Sequence, residues 1–253
     1  MKQYSYEETS KYYDLLETSE KENLERNSFL EKTFKKYKIK SVFDLTCGTG
    51  AQAIYFLKKG YQVKASDYSK GMIEVVNDKL KSLKIKDKFK KADMRTVKFG
   101  KADAVITMFN AIGHLSKADF KIALNNIKDN LKPKGYYIFD IYNLNEMPNG
   151  LPKHKHIDNV VSKDGLYIVR YCTNKLDIKT GKITTVHEWH IQHDLNPYKI
   201  VKNKWDMQLY VYKELEKTLE RNGFRVLEVY GDPNFSKFNN NRSESIYLVT
   251  QKQ

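Results

Sequence analysis

The chain has 253 residues and a net charge of +14, with 40% hydrophobic and 13% aromatic residues, enough for one large domain or for a domain with an insertion. Its two cysteines, Cys47 and Cys172, exclude a disulfide framework and fit a reducing, cytoplasmic setting. No apolar run approaches the ~20 residues of a bilayer span, and the polar, acidic stretch 1–10 does not read as a signal peptide. The positive charge is nearly all lysine, since arginine stands only at Arg26, Arg95, Arg170, Arg221, Arg225 and Arg242. Lysine lacks the guanidinium's bidentate reach to phosphates and base edges. The excess therefore reads as a solvated surface, and no nucleic-acid partner is expected.

In chain order, Tyr4, Tyr6, Tyr12, Tyr13, Asp14, Leu15 and Leu16 predict a short helix over 4–17 with aromatics on one side. A second helix follows over 19–37. Leu24, Phe29, Leu30 and Phe34 recur there at helical spacing, and Ser19 with Glu22 forms a capping box. An apolar strand at 41–45 leads through a Gly-containing turn into a helix at 51–59 that stops at Gly60. A strand at 62–66 ends at Asp67, and Ser69 caps a helix carrying Met72, Ile73, Val75, Val76 and Leu80. A short strand near Phe89, a buried strand at 102–108, a helix at 119–131 ended by Pro133 and Gly135, and a strand at 135–142 continue the alternation. Strand and helix in strict alternation argue for a parallel sheet with helices on both faces.

After Asn143 the texture changes. Residues 145–164 read as loop, 166–176 and 183–193 as a hairpin about the turn 179–182, and 198–210 as a third antiparallel strand. The domain reading is a core of 1–144 and 211–253 with an antiparallel β insertion at 145–210; long insertions of this kind carry function. A helix at 212–222 capped by Gly223, then strands at 224–230 and 245–250, close the chain.

The chain is organised around Val42-Phe43-Asp44-Leu45-Thr46-Cys47-Gly48-Thr49-Gly50. Strand, glycine turn and helix N-terminus form a site for a nucleotide-like ligand. An acid at the end of the next strand, Asp67, can accept hydrogen bonds from ribose hydroxyls. The third glycine of a dinucleotide fingerprint is missing, with Ala53 in its place, so an NAD-binding dehydrogenase is the weaker reading. The pattern Asp-x-x-Cys-Gly-Thr-Gly resembles motif I of the class I S-adenosylmethionine (SAM) methyltransferases.

That resemblance implies a Rossmann-like α/β fold with a mostly parallel seven-stranded sheet and SAM as cofactor. It places Asp44, Thr46, Gly48, Gly50, Asp67, Tyr68, Met72, Asp93, Met94 and Met108 at the cofactor. Met72 would lie against the adenine, and Asp93 would accept from its exocyclic amine. Asp93-Met94-Arg95 with Met108-Phe109-Asn110-Ala111-Ile112-Gly113-His114-Leu115 is similar to the amino-sugar N,N-dimethyltransferases, which also carry a Tyr-Asp pair matched by Tyr13-Asp14. By that likeness the acceptor is a small-molecule amine and Tyr13 helps to hold SAM and orient the amine; a homodimer stays open. His114, the residue after the fourth strand that titrates near neutral pH, is the expected proton acceptor or hydrogen-bond partner of the nucleophile. An RNA methyltransferase using the lysine surface, and a SAM-binding protein without turnover, are the rival readings. No metal is expected. His154 and His156 share a face if extended, His187 and His190 point to opposite faces, and no acid or cysteine joins them closely.

Overall fold

The computed structural model describes residues 6–17, 19–152 and 154–253, with 149 and 150 given by their backbone alone; Tyr4 lies outside them. The segment 6–17 is not one helix. A 3-10 turn, Ser10–Tyr12, leads into a single α-helical turn, α1 (Tyr13–Leu16), and its side chains are drawn to other parts of the molecule. Ser19 caps α2 (Glu20–Lys36): its hydroxyl accepts the Glu22 N–H, and the Glu22 carboxylate accepts the Ser19 N–H. Two orphan donors are satisfied at once. Phe29, Leu30 and Phe34 are wholly buried, while Leu24 lies on the other face and is 56% exposed.

The alternation then runs β1 (Ser41–Asp44), α3 (Ala51–Lys58), β2 (Gln62–Asp67), α4 (Lys70–Ser82), β3 (Lys90–Lys91), β4 (Ala102–Thr107), α5 (Lys117–Asn130) and β5 (Leu131–Tyr142). Helix α5 starts two residues before the expected point because the Ser116 side chain caps it, accepting the Asp119 N–H. Strand β5 starts at Leu131, which already pairs with Ala102, and the ladder shifts register before Ala104 meets Tyr136. A short α6 (Met147–Gly150) leads to β6 (His156–Lys163), β7 (Leu166–Asp177), β8 (Lys182–His193) and β9 (Lys199–Gln208). The chain ends with α7 (Tyr212–Arg221), β10 (Phe224–Tyr230) and β11 (Ser245–Lys252).

Seven strands form one sheet in the order β10-β11-β5-β4-β1-β2-β3. All pairs are parallel except β10–β11 and β11–β5. Its strands bury both faces, as a sheet covered twice must. Val42, Ala104, Ile106 and Ile138 pack under α2, α3 and α4, while Phe43, Val105, Tyr137 and Phe139 pack under α5 and α7. The order reverses between β1 and β4, which opens a crevice at the carboxyl ends of these strands.

The remaining four strands form a separate antiparallel sheet, β6-β7-β8-β9. Strand β6 falls where a loop was expected: its residues are mostly polar and exposed, as on an edge strand. One face of this sheet packs Ile168, Trp189, Ile191 and Val201 against Tyr12 and Leu16. Among the described residues no helix is long and apolar enough to cross a membrane.

Replacing Ser19 by Ala removes one half of the α2 capping box and is expected to cost about 1 kcal/mol of stability. Urea unfolding checks this; an unchanged midpoint would show that the box contributes nothing.

Candidate active site

Strand β1 ends at Asp44, buried, whose carboxylate accepts the Thr46 N–H at 3.1 Å. The turn that follows needs glycine at position 50 twice over. Its φ is +93°, and a Cβ there would lie 2.4 Å from Val76 Cγ2 of α4. Gly48, also left-handed, has open space where a Cβ would stand. Its N–H donates to Asp67 Oδ2 at 2.9 Å, while the Ser69 N–H donates to Oδ1 at 2.9 Å. Asp67 thus ties the end of β2 to the glycine turn and to the start of α4. Burial raises the pKa of Asp67 and pushes Asp44 up to about 7, the Thr46 N–H opposing and the charge of Asp67 adding to the rise at Asp44.

The other expected cofactor residues lie around this turn in different states. Thr46 Oγ1 is buried without a hydrogen-bond partner. Tyr68 is half exposed beside Asp67, whereas Met72 and Met108 are buried at 2% and 4% exposure. Met94 is half-buried against the core. Asp93 is not a free carboxylate. The Arg95 Nε donates to both of its oxygens at 3.0 Å, and the same guanidinium reaches Asp119 at 2.7 Å. Despite burial, which raises it, the Arg95 partnership holds the Asp93 pKa below its ordinary value.

Past β4 the chain makes a turn not anticipated from the sequence. Phe109 and Asn110 both have positive φ, +64° and +56°, uncommon for asparagine and strained for phenylalanine. Asp140 of β5 holds the turn: its carboxylate accepts the Phe109 N–H at 2.6 Å and the Asn110 N–H at 3.3 Å. Arg26 of α2 lies over the Phe109 ring at 4.5 Å. A 3-10 turn then carries His114, whose Nε2 lies 3.3 Å from the Tyr6 hydroxyl. The Tyr6 ring meets Tyr13 and Trp205 of β9, both at 5.9 Å, and Tyr13 meets Phe109 at 6.4 Å.

Solvent reaches the His114 ring, yet protein surrounds it densely, and this desolvation pushes its pKa down to about 4. The expectation that His114 titrates near neutral pH is therefore corrected, because among the described residues no charged neighbour offsets the loss of water. Burial raises the phenol pKa of Tyr6 and of Tyr13, so both keep their protons.

Residues 6–17 close over this crevice. The Glu7 carboxylate accepts the first N–H groups of α4, from Lys70 at 2.9 Å and Gly71 at 2.5 Å. Asp14 accepts the Thr49 hydroxyl and pairs with Lys79, and Glu17 pairs with Arg170 of β7. Tyr6, Glu7, Asp140, Arg26 and Trp205 were missed from the sequence. Only Asp140, an acid inside the apolar run Tyr137-Ile138-Phe139-Asp140-Ile141, left a signal there.

The histidines of the second sheet also need a correction. Antiparallel register sets Cys172 opposite His156 on one side and opposite His187 on the other. A cysteine therefore does join them, through strand pairing that sequence distance conceals.

Residues 42–135 match the family described as methyltransferase domain. The chain carries a methyltransferase domain. Its fold is the Rossmann-like fold of that class, whose cofactor is SAM. The chain is similar to a provisionally named methyltransferase of Geobacillus sp. (strain WCH70), 26% identical over 148 residues, 56% of this chain and 60% of that relative's length. A SAM-dependent methyltransferase from Clostridium acetobutylicum ATCC 824 superposes with a TM-score of 0.82 at 18% identity, covering 98% of both chains. SAM-bound CalS10, an amino pentose methyltransferase from Micromonospora echinaspora involved in calicheamicin biosynthesis, superposes with a TM-score of 0.73 at 15% identity, covering 97% of this chain and 96% of that one. The methyltransferase domain has groups that fit the cofactor: the unpartnered Thr46 hydroxyl, the open space over Gly48 and the Asp67 carboxylate.

The raised pKa of Asp44 carries a sign. Between its ordinary value of 3.8 and about 7 the folded state holds a proton that the unfolded chain has released. Stability falls as pH rises through that window. Asp44→Asn removes this slope, so the variant should gain on the wild type from the bottom to the top of the window. Urea unfolding at stepped pH reads the difference, and parallel curves would contradict it.

Proposed function

We propose that this methyltransferase transfers the methyl group of SAM to a small-molecule amine, of the amino-sugar kind. The observation that carries the reading is the His114–Tyr6 contact at the carboxyl edge of the sheet, walled by Tyr13, Phe109 and Trp205. SAM supplies a methyl group already activated as a sulfonium. The protein's part is then to orient a lone pair in line and to exclude water. Asp67, Gly48 and Thr46 would hold the cofactor, with Tyr68 and Met94 beside it. Asp93 keeps spare lone pairs for an adenine amine although Arg95 holds it. His114 and Tyr13 would face the acceptor. The aromatic walls suit a half-polar molecule such as a sugar, and the amino pentose substrate class in CalS10's name supports the same choice. The sheet of β6–β9 would form the acceptor's outer wall through Trp205.

His114, with its pKa near 4, acts as a neutral hydrogen-bond partner that orients the amine, not as a base that titrates in the working range. In assays of methyl transfer from SAM to a panel of amino sugars and other small amines, the rate should rise with pH along the acceptor's own ammonium titration. No limb should appear near the ordinary histidine value of 6.5. His114→Gln should leave SAM affinity by calorimetry unchanged and lower kcat by about tenfold or more. Equal rates in the two proteins would remove His114 from the chemistry. Methylation of structured RNA, steeply weakened by salt, with no turnover on any amine, would overturn the substrate class.

A further inference from the structure

In the second sheet, far from the methyl-transfer chemistry in sequence, one ring nitrogen of His156, a carboxylate oxygen of Asp158 and the Cys172 sulfur lie within 4.8 Å of one another. Sequence order alone would not bring them together. His156 sits directly across from Cys172 in the β6–β7 ladder, and the ladder shifts register between Ile157 and Asn159. Asp158 is the extra residue at that irregularity, which lets its carboxylate join neighbours that strict alternation would turn away. Cys172 in turn sits directly across from His187 of β8, so His156, Cys172 and His187 form one row on one face of the sheet. His187 is 5% exposed, and its Nδ1 is buried with no hydrogen-bond partner. A buried ring nitrogen left unpaired is rare and calls for a ligand.

We propose that His156, Asp158 and Cys172 bind one divalent transition metal of the zinc type, and that the ring of His187, next in the row but outside their 4.8 Å cluster, turns to become the fourth donor. The donor set decides the metal class: a mixture of imidazole, thiolate and carboxylate suits zinc and not magnesium or calcium, which take oxygen alone. The surroundings are arranged for it. His156 Nδ1 lies 3.0 Å from the His154 carbonyl, the outer hydrogen bond that fixes the tautomer of metal-binding histidines and leaves Nε2 with its lone pair. Asp158 is also paired with Arg170, but both contacts, from Nε at 2.6 Å and from the terminal nitrogen at 2.5 Å, fall on Oδ2, leaving Oδ1 for a cation. Formal charge balances too. Arg170 faces two carboxylates, Asp158 and Glu17. On binding, the Cys172 sulfur–hydrogen bond breaks, its proton passes to solvent, and the metal–sulfur bond forms. Three negative groups then meet one guanidinium and one divalent ion, and the sum is zero.

Such a metal would pin the edge strand β6 to the sheet beside the Glu17–Arg170 pair that anchors the N-terminal segment. The probe is cobalt(II), which reports a thiolate ligand by its charge-transfer absorption and four-coordination by intense d–d bands. Added to the full chain after chelator treatment, it should bind once per chain with both signatures, and zinc should displace it. Cys172→Ser should lose the charge-transfer band. His156→Gln, a change at a half-exposed edge position that should fold normally, should weaken binding about tenfold or more. Absence of the band in the wild type, its persistence in Cys172→Ser, or unchanged affinity in a folded His156→Gln would each overturn the proposal. The readout is independent of methyl transfer, so it neither needs nor tests the reading of the active site.

Discussion

The crevice depends on one carboxylate. Asp67 accepts one backbone N–H from the turn after β1 and another from the turn before α4. Ser69, fixed in this way, caps the Met72 N–H in turn. A glycine turn has many conformations open to it, and the Asp67 bond to Gly48 selects one of them. The selection has a cost. Half-buried Asp67 lies close to buried Asp44, and loss of water raises both toward their neutral forms. Backbone N–H groups are what keep a charge on them. A ligand with hydroxyl donors would add to that stabilisation.

The second dependence is on residues 6–17, which join the two sheets. Their four acids reach different parts of the molecule: Glu7 the N-terminus of α4, Glu8 the Lys199 ammonium on β9, Asp14 the Thr49 hydroxyl and Lys79, Glu17 the Arg170 guanidinium on β7. Asn159 donates to the Leu16 carbonyl and Asn203 to the Thr9 hydroxyl, so the sheet holds the segment from its own side. Carboxylates at a helix N-terminus gain from its dipole, which makes the Glu7 contact more than a surface pairing. Tyr6 is set against His114 and Trp205 as a consequence, and so this aromatic wall of the crevice exists only when the segment is in place.

What could be read from the sequence follows from how local each signal was. The seven-stranded sheet was legible because Val42-Phe43, Ala104-Val105-Ile106 and Ile138-Phe139 are apolar on both faces, a pattern only a doubly covered strand produces. The glycine turn and Asp67 were legible because backbone geometry restricts the residues there. Strand β6 was not, since an edge strand with few buried residues looks like loop. Nor was the 3-10 and single-turn form of 6–17, whose conformation is set by partners as distant in sequence as Trp205. The ion pair of Asp93 with Arg95 and the depressed pKa of His114 depend on surroundings, not on residue type. The row His156–Cys172–His187 needed cross-strand register, which sequence leaves open for a polar, half-exposed strand.

The low pKa of His114 bears on the acceptor as well as on the histidine. Desolvation disfavours whichever form carries charge. The desolvation that keeps the imidazole neutral acts likewise on an ammonium brought beside it, while the charges of Glu17 and Asp67 are felt farther along, at Tyr6 and Tyr13. An amine bound beside His114 and Tyr6 would therefore lose its proton more readily than in water. Its lone pair would be exposed to the methyl donor without any strong base. A carboxylate in the position of His114 would have done the opposite, holding the ammonium by charge and blocking the lone pair. A neutral imidazole set among aromatic walls would thus suit an amine nucleophile better than a carboxylate in its place. The +14 net charge of the chain, borne largely by exposed lysines, is not needed for this chemistry.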